Sequence, residues 1–113
     1  MSKRDSILLI NDILLAISKI RNYTANQSFD DFKKDDKTID AVVRNFEIIG
    51  EAARKLPDSF KEQYHSIPWY RIIGFGNRIV HDYFGVDLKI IWQIITKQLD
   101  DLEKEIRKDI DTK

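Results

Sequence analysis

The sequence contains no cysteine, and this absence removes several kinds of chemistry at once. Without thiols there is no disulfide framework, no thiolate metal site and no cysteine nucleophile. The chain has two histidines, His65 and His81, and neither belongs to an H-x-x-x-H or H-E-x-x-H pattern. No zinc-binding spacing is therefore present, and the sequence predicts neither a metal nor a cofactor.

Glycine and proline are also scarce, with four and two residues in 113. A turn-rich all-β fold is therefore disfavoured, and the length suits one domain. Acidic and basic residues balance at 19 each, so the chain lacks the net positive charge of a dedicated nucleic-acid-binding protein. Any contact with RNA would have to rely on a local patch.

Long apolar runs are absent as well. Asn11 and Asp12 interrupt the apolar stretch near the N-terminus, which therefore does not resemble a signal peptide. No uninterrupted apolar segment is long enough to span a bilayer. We expect a soluble, cytoplasmic protein.

What the sequence does contain is helical periodicity, with apolar residues at three- and four-residue steps. The first run extends from Ile7 to Ile20, and Ser2 with Asp5 forms a plausible capping pair before it. The second extends from about Asp36 to Leu56, where Pro57 ends the helix because it cannot donate to the helical hydrogen bonds. Each run predicts a long helix with one buried side.

The second half of the chain continues this pattern. Pro68 suits the first position of a third helix, which Gly85 ends and in which Gly74 and Gly76 lower the helix propensity. A single final helix is predicted to carry the apolar positions between Leu88 and Ile106. The predicted fold is all-α, an antiparallel bundle of four main helices with short extra helical turns.

The apolar positions of the final helix continue as far as Ile110. We expect this to be more apolar surface than a small monomer needs to cover. Surplus surface of this kind predicts a homodimer.

His81 has polar neighbours at helical spacing near the end of the third helix. Arg78 lies three residues before it, Asn77 lies four before it, and Tyr83 follows. An imidazole, a cation and an amide donor are the groups that metal-free phosphodiester cleavage requires. The alternative is a helix-end histidine that interacts with the last carbonyls. His65 has no comparable neighbours.

The segment IPWYRIIGFGNRIVHDYFGVDLKIIWQII, with FEIIGEAARKL upstream, resembles the HepT family of HEPN-domain proteins. The resemblance extends over nearly the whole chain and implies a single HEPN-like domain over residues 1–113. HepT proteins are toxins of type VII toxin–antitoxin systems and are paired with MntA, a minimal nucleotidyltransferase. The resemblance implies a homodimeric, metal-independent endoribonuclease, with the motifs of both subunits meeting at the interface.

The resemblance also assigns roles to individual residues. It implies that His81 is the general acid or base on the ribose 2′-hydroxyl or the leaving oxygen, with Asn77 and Arg78 beside it. Tyr83 would accept AMP groups that the antitoxin transfers from ATP, which would block RNA by bulk and charge.

One position departs from the family pattern. The motif arginine should stand five residues before His81, where this chain has Gly76. Loss of a guanidinium aimed at the scissile phosphate predicts impaired cleavage. Either the chain is a naturally degenerate member, or Gly76 is an inactivating substitution. A non-catalytic HEPN dimer that binds a nucleotidyltransferase is the alternative function.

Overall fold

The computed structural model describes residues 2–82 and 88–110, of which residues 77–82 are described by their backbone alone. Within these ranges the chain forms helices and no strand, which confirms the all-α prediction. The helices are α1 (Lys3–Thr24), α2 (Phe29–Lys33), α3 (Asp36–Lys55), α4 (Asp58–Gln63), α5 (Trp69–Asp82), α6 (Leu88–Lys97) and α7 (Leu99–Asp109). The main helices of the bundle are α1, α3, α5 and the pair α6–α7, and α2 and α4 are the short extra turns.

The N-termini of the helices are set by local hydrogen bonds. The Ser2 hydroxyl accepts from the Asp5 N–H, and the Asp5 carboxylate accepts from the Ser2 N–H, both at 3.2 Å. This capping box confirms the predicted pair. Asp35 caps α3, because its carboxylate accepts from the Thr38 N–H at 3.1 Å and from the Thr38 hydroxyl at 2.6 Å. These bonds favour the charged carboxylate and lower the pKa of Asp35.

Two predicted boundaries differ from the structure. The third helix begins at Trp69, and Pro68 precedes it, with its carbonyl accepting from the Ile72 N–H at 3.1 Å. The predicted single final helix is divided at Gln98, whose backbone angles (φ −115°, ψ −35°) depart from the helical values. Hydrophobic spacing is nearly continuous through such a break, so periodicity alone does not reveal it. The predicted end at Gly85 lies outside the described residues.

The core is built around α3, which packs along α1 on one side and along α5 on the other. Ile17 of α1, Phe46 and Ile49 of α3, and Ile72 of α5 are fully buried there. α7 closes the bundle over α1, and Arg21 of α1 binds carboxylates of α7 across the surface. None of the described helices is both long and apolar enough to cross a membrane.

The apolar side chains of α7 are covered by the chain itself. Ile106 is fully buried and Ile110 is 2% exposed, so the surplus surface expected at the end of the chain is not found there. Large apolar side chains are exposed instead on α1, where Leu8 is 54% and Leu15 is 56% exposed. The homodimer stays a prediction, without support from the α7 residues on which it was based.

α3 and α5 cross at two glycines. A methyl group added to Gly76 would lie 3.1 Å from the Gly50 Cα atom and 3.3 Å from the Phe46 carbonyl oxygen. A methyl group on Gly50 would lie 3.0 Å from the Gly76 Cα atom. These distances are shorter than normal van der Waals contacts, so the two backbones can approach this closely only because both residues lack a Cβ atom. Beside the crossing, the Phe46 and Phe75 rings pack edge to face with centroids 6.0 Å apart.

The other helical glycine of α5, Gly74, supplies a matched comparison, because a methyl group there would meet no atom within 4 Å. Gly74→Ala is expected to raise the free energy of unfolding by about 0.5–1 kcal/mol through helix propensity. Gly76→Ala should lower it by about 1–3 kcal/mol, because the crossing has to open. Urea denaturation of both variants measures the difference. Equal stabilisation by both substitutions would show that α3 and α5 do not need a glycine at position 76.

Candidate functional site

The start of α5 is fixed by aromatic packing with the segment before it. The Trp69 indole N–H donates to the Tyr64 carbonyl at 3.2 Å, and Trp69 is 7% exposed. The Phe60 ring lies 4.9 Å from the Tyr64 ring and 6.3 Å from the Trp69 ring, measured between centroids. Trp69 is thus a core anchor, and it holds the helix that carries the candidate site.

α5 has a buried side and an exposed side. Ile72, Phe75 and Gly76 are buried, and they face α3. Each helical residue advances about 100° around the axis, so position 81 lies about 180° from position 72. The backbone of His81 therefore stands on the side of α5 opposite the bundle core.

Four positions form an outer stripe on this exposed side, namely 70, 74, 77 and 81. Their steps of four, three and four residues keep them within an arc of about 60° around the helix axis. Tyr70 is 92% exposed, and the space above Gly74 is open. Two of the predicted site residues, Asn77 and His81, thus share a helix side with the outward-facing Tyr70.

The predicted roles of these residues stay predictions. The side chains of Asn77, Arg78 and His81 lie outside the described residues, as does the whole of Tyr83. The backbone places position 78 about 60° from position 81 around the axis, one helical turn earlier. This spacing puts 77, 78 and 81 on neighbouring parts of one helix surface.

Gly76 lies on a different side of the helix. Position 76 is about 140° from position 81, and Gly76 is buried in the crossing with α3. A side chain at position 76 would therefore leave the backbone between two helices. An arginine at this position would have to open the crossing and extend along the helix surface before its guanidinium reached solvent.

Other ionisable groups offer weaker sites. His65 is exposed, with its Nδ1 atom 3.3 Å from the Glu62 carbonyl oxygen. Glu47 of α3 forms a surface ion pair with Arg44 at 3.4 Å. In the described part of the chain, no three His, Asp or Glu residues are arranged to hold a metal ion.

The sequence pattern around His81 does not single out Tyr70 or Arg71, because Asn77 and Arg78 lie only one helical turn before His81. The same helical spacing, extended two further turns, would have reached Tyr70 on the His81 side of α5. What spacing could not supply is that this tyrosine is 92% exposed, while Trp69 beside it is buried.

Comparison with known proteins identifies the family. The family described as "Ribonuclease HepT-like" matches residues 13–108, which include α3, α5 and both glycines of the crossing. The chain belongs to the HepT-like ribonuclease family. This confirms the resemblance carried by the NRIVHDYFGVD run.

Several curated relatives of this HepT-like chain agree with the match. The protein of Thermococcus cleftensis named "Probable ribonuclease HepT" is 36% identical over 106 residues, covering 94% of this chain and 96% of the relative. "Putative RNase MJ0127" of Methanocaldococcus jannaschii is 38% identical over 106 residues, covering 94% and 88%. "Putative RNase TTE0752" of Caldanaerobacter subterraneus is 45% identical over 80 residues, covering 71% of each chain. No solved structure matches.

Proposed function

We propose that this HepT-like chain is a ribonuclease toxin that cleaves RNA phosphodiester bonds without a metal ion. The family match over residues 13–108 is the observation that carries the proposal. The backbone register of positions 77 and 81 supports it, because both share the side of α5 that carries the exposed Tyr70, and a residue that handles an RNA strand has to face outward. In the cell the chain would act in the cytoplasm as a homodimer, with the motifs of the two subunits, which include Asn77 and His81, meeting at a cleft.

The proposed reaction uses the ribose 2′-hydroxyl as nucleophile. His81 takes the proton of the 2′-hydroxyl, whose oxygen bonds to the adjacent phosphorus while the bond to the 5′-oxygen breaks. The leaving oxygen takes up a proton, and the products are a 2′,3′-cyclic phosphate and a 5′-hydroxyl end. The Asn77 amide and the Arg78 guanidinium are proposed to stabilise the charge that develops on the phosphate oxygens.

A histidine that moves a proton in the reaction has a measurable effect on rate. His81→Ala is expected to lower the rate of RNA cleavage at least about 100-fold, since general acid–base catalysis contributes this much or more. His65→Ala is the matched control, because it removes the other imidazole of the chain, which is exposed and contacts a backbone carbonyl. Cleavage of a fluorogenic RNA measures both rates. Equal rates for the parent chain and His81→Ala would contradict the proposed role.

We propose further that Gly76 slows this reaction, because the chain lacks the guanidinium that the family pattern places at that position. Gly76→Arg is expected to raise the cleavage rate about 100-fold per folded molecule, the scale of one electrostatic group at a reacting phosphate. The same substitution should lower stability, because the glycine crossing has to open. The rate of RNA cleavage and the urea concentration at the midpoint of unfolding therefore have to be measured on the same variant.

Gly76→Met is the control for this experiment. Methionine also introduces a long side chain into the crossing but adds no charge, so it should lower stability without raising the rate. Equal cleavage by the parent chain and Gly76→Arg would show that Gly76 does not impair activity. No cleavage by either chain, with both folded, would favour the non-catalytic function, a HEPN dimer that binds a nucleotidyltransferase.

We propose that the ribonuclease is inhibited by the attachment of AMP to Tyr83. Its hydroxyl oxygen bonds to the α-phosphorus of ATP, pyrophosphate leaves, and the hydroxyl proton is released. A MntA-type nucleotidyltransferase antitoxin would catalyse this transfer. The AMP group would add bulk and negative charge two residues from His81, where an anionic RNA has to bind.

Intact-mass spectrometry tests this proposal. After incubation with the antitoxin and ATP, the chain should gain the mass of one or more AMP groups, and Tyr83→Phe should gain none. Tyr23→Phe, which alters an exposed tyrosine on α1, is the control and should be modified like the parent chain. A mass gain that persists in Tyr83→Phe would rule out Tyr83 as the acceptor.

A further inference from the structure

Tyr70 is exposed without an evident structural reason. Its side chain is 92% exposed, the highest value among the large hydrophobic and aromatic residues described. Within the described part of the chain its hydroxyl forms no hydrogen bond, and its ring packs against no other ring. The fold therefore gains little from an aromatic residue at this position.

An exposed arginine stands next to it. Arg71 is exposed and forms no ion pair with any residue that the structure describes. Three arginines of other helices, Arg21, Arg44 and Arg107, each pair with a carboxylate. Position 78 lies seven residues beyond Arg71, two helical turns along the same side of α5. The chain thus presents an exposed aromatic ring at the start of the outer stripe and an exposed positive charge beside it, one that pairs with no carboxylate among the described residues.

The outer stripe is also open at position 74, between Tyr70 and Asn77. The two positions are separated by eleven residues, or about 16 Å along the helix. Gly74 lies between them, and a Cβ atom there would meet nothing within 4 Å. An extended ligand can therefore pass along the helix surface from Tyr70 toward position 77 without meeting a side chain at position 74.

We infer that Tyr70 is a base-stacking residue for single-stranded RNA on its way to His81, with Arg71 beside it contacting the backbone phosphates. This inference rests on the proposed function, whose substrate it narrows from RNA in general to unpaired RNA. Exposed aromatic rings bind unpaired bases by stacking, and nearby cations bind the phosphates. In duplex RNA the base faces are already stacked on one another, so Tyr70 has no free face to bind.

The test uses fluorescence anisotropy with the full chain. The probe is a labelled 2′-O-methyl pyrimidine RNA of about 12 nucleotides, a length that covers one binding site. Its blocked 2′-oxygens prevent cleavage, so that binding alone is measured. Tyr70→Ala is expected to weaken binding about 5- to 100-fold, the effect of losing one stacked base. Tyr70→Phe and Tyr70→Trp keep the aromatic face and should stay within about twofold of the parent chain.

Tyr23→Ala is the matched control, because Tyr23 on α1 is 42% exposed, the other tyrosine that is strongly exposed among the described residues, and should not affect RNA binding. The same probe annealed to its complement should bind the parent chain and Tyr70→Ala alike. Light scattering after size-exclusion chromatography should give one oligomeric mass for all variants. Unchanged probe binding by Tyr70→Ala overturns the inference. An equal loss of probe binding in Tyr70→Phe also overturns it, because the aromatic ring is kept in that variant. An altered oligomeric mass of Tyr70→Ala overturns it as well, because Tyr70 would then be part of a protein interface.

Parallel cleavage assays separate this inference from the proposed function. If the parent chain cleaves RNA and Tyr70→Ala binds the probe normally, the ribonuclease proposal stands and the stacking role is wrong. If no variant cleaves RNA but Tyr70→Ala still loses binding, the stacking role stands for a chain that binds RNA without cutting it.

Discussion

The contact between the backbones of α3 and α5 at Gly50 and Gly76 determines how the candidate site is presented. With Cα atoms this close to each other, neither helix can turn about its axis at the crossing without bringing a side chain into the contact. α5 therefore keeps Ile72, Phe75 and Gly76 toward α3, and its opposite side has to face outward. The positions of Tyr70, Asn77 and His81 on that outer side follow from the packing at the inner one.

Position 76 is therefore subject to two opposing requirements, one from catalysis and one from packing. Under the proposed function, the family motif places at position 76 an arginine that would stabilise charge on a phosphate. As a packing residue, it calls for the absence of any side chain. In this chain the packing requirement is met, and a positive charge at the site has to come from other positions of α5, such as 71 and 78. The glycine that completes the helix crossing is therefore also the residue that, under the proposed function, would lower the cleavage rate.

The candidate site is also one-sided. One helix supplies the outer stripe, and the described residues of the other helices contribute packing beneath it. A single helix surface cannot enclose a phosphodiester bond or exclude water from it, and catalysis by charge stabilisation is strongest where water is excluded. The proposed dimer would supply the missing wall, because two such surfaces facing each other form a cleft. In that geometry, base stacking at Tyr70 would hold an RNA strand along the helix while its phosphate lies near His81.

Much of the fold could be predicted from the sequence, because helix formation depends on near neighbours. The capping pair Ser2 and Asp5, the stop at Pro57 and the burial of Ile17 or Ile49 all follow from residues within a few positions of one another. The family was predicted as well, because the NRIVHDYFGVD run carries it locally.

Only the tertiary structure decided that Ile106 and Ile110 are covered by the chain itself and that Gly76, unlike Gly74, touches another backbone. It also decided that the Tyr70 side chain is exposed to solvent, while the neighbouring Trp69 is buried. These properties depend on which helix lies opposite, and residues far apart in sequence, such as Gly50 and Gly76, determine that together.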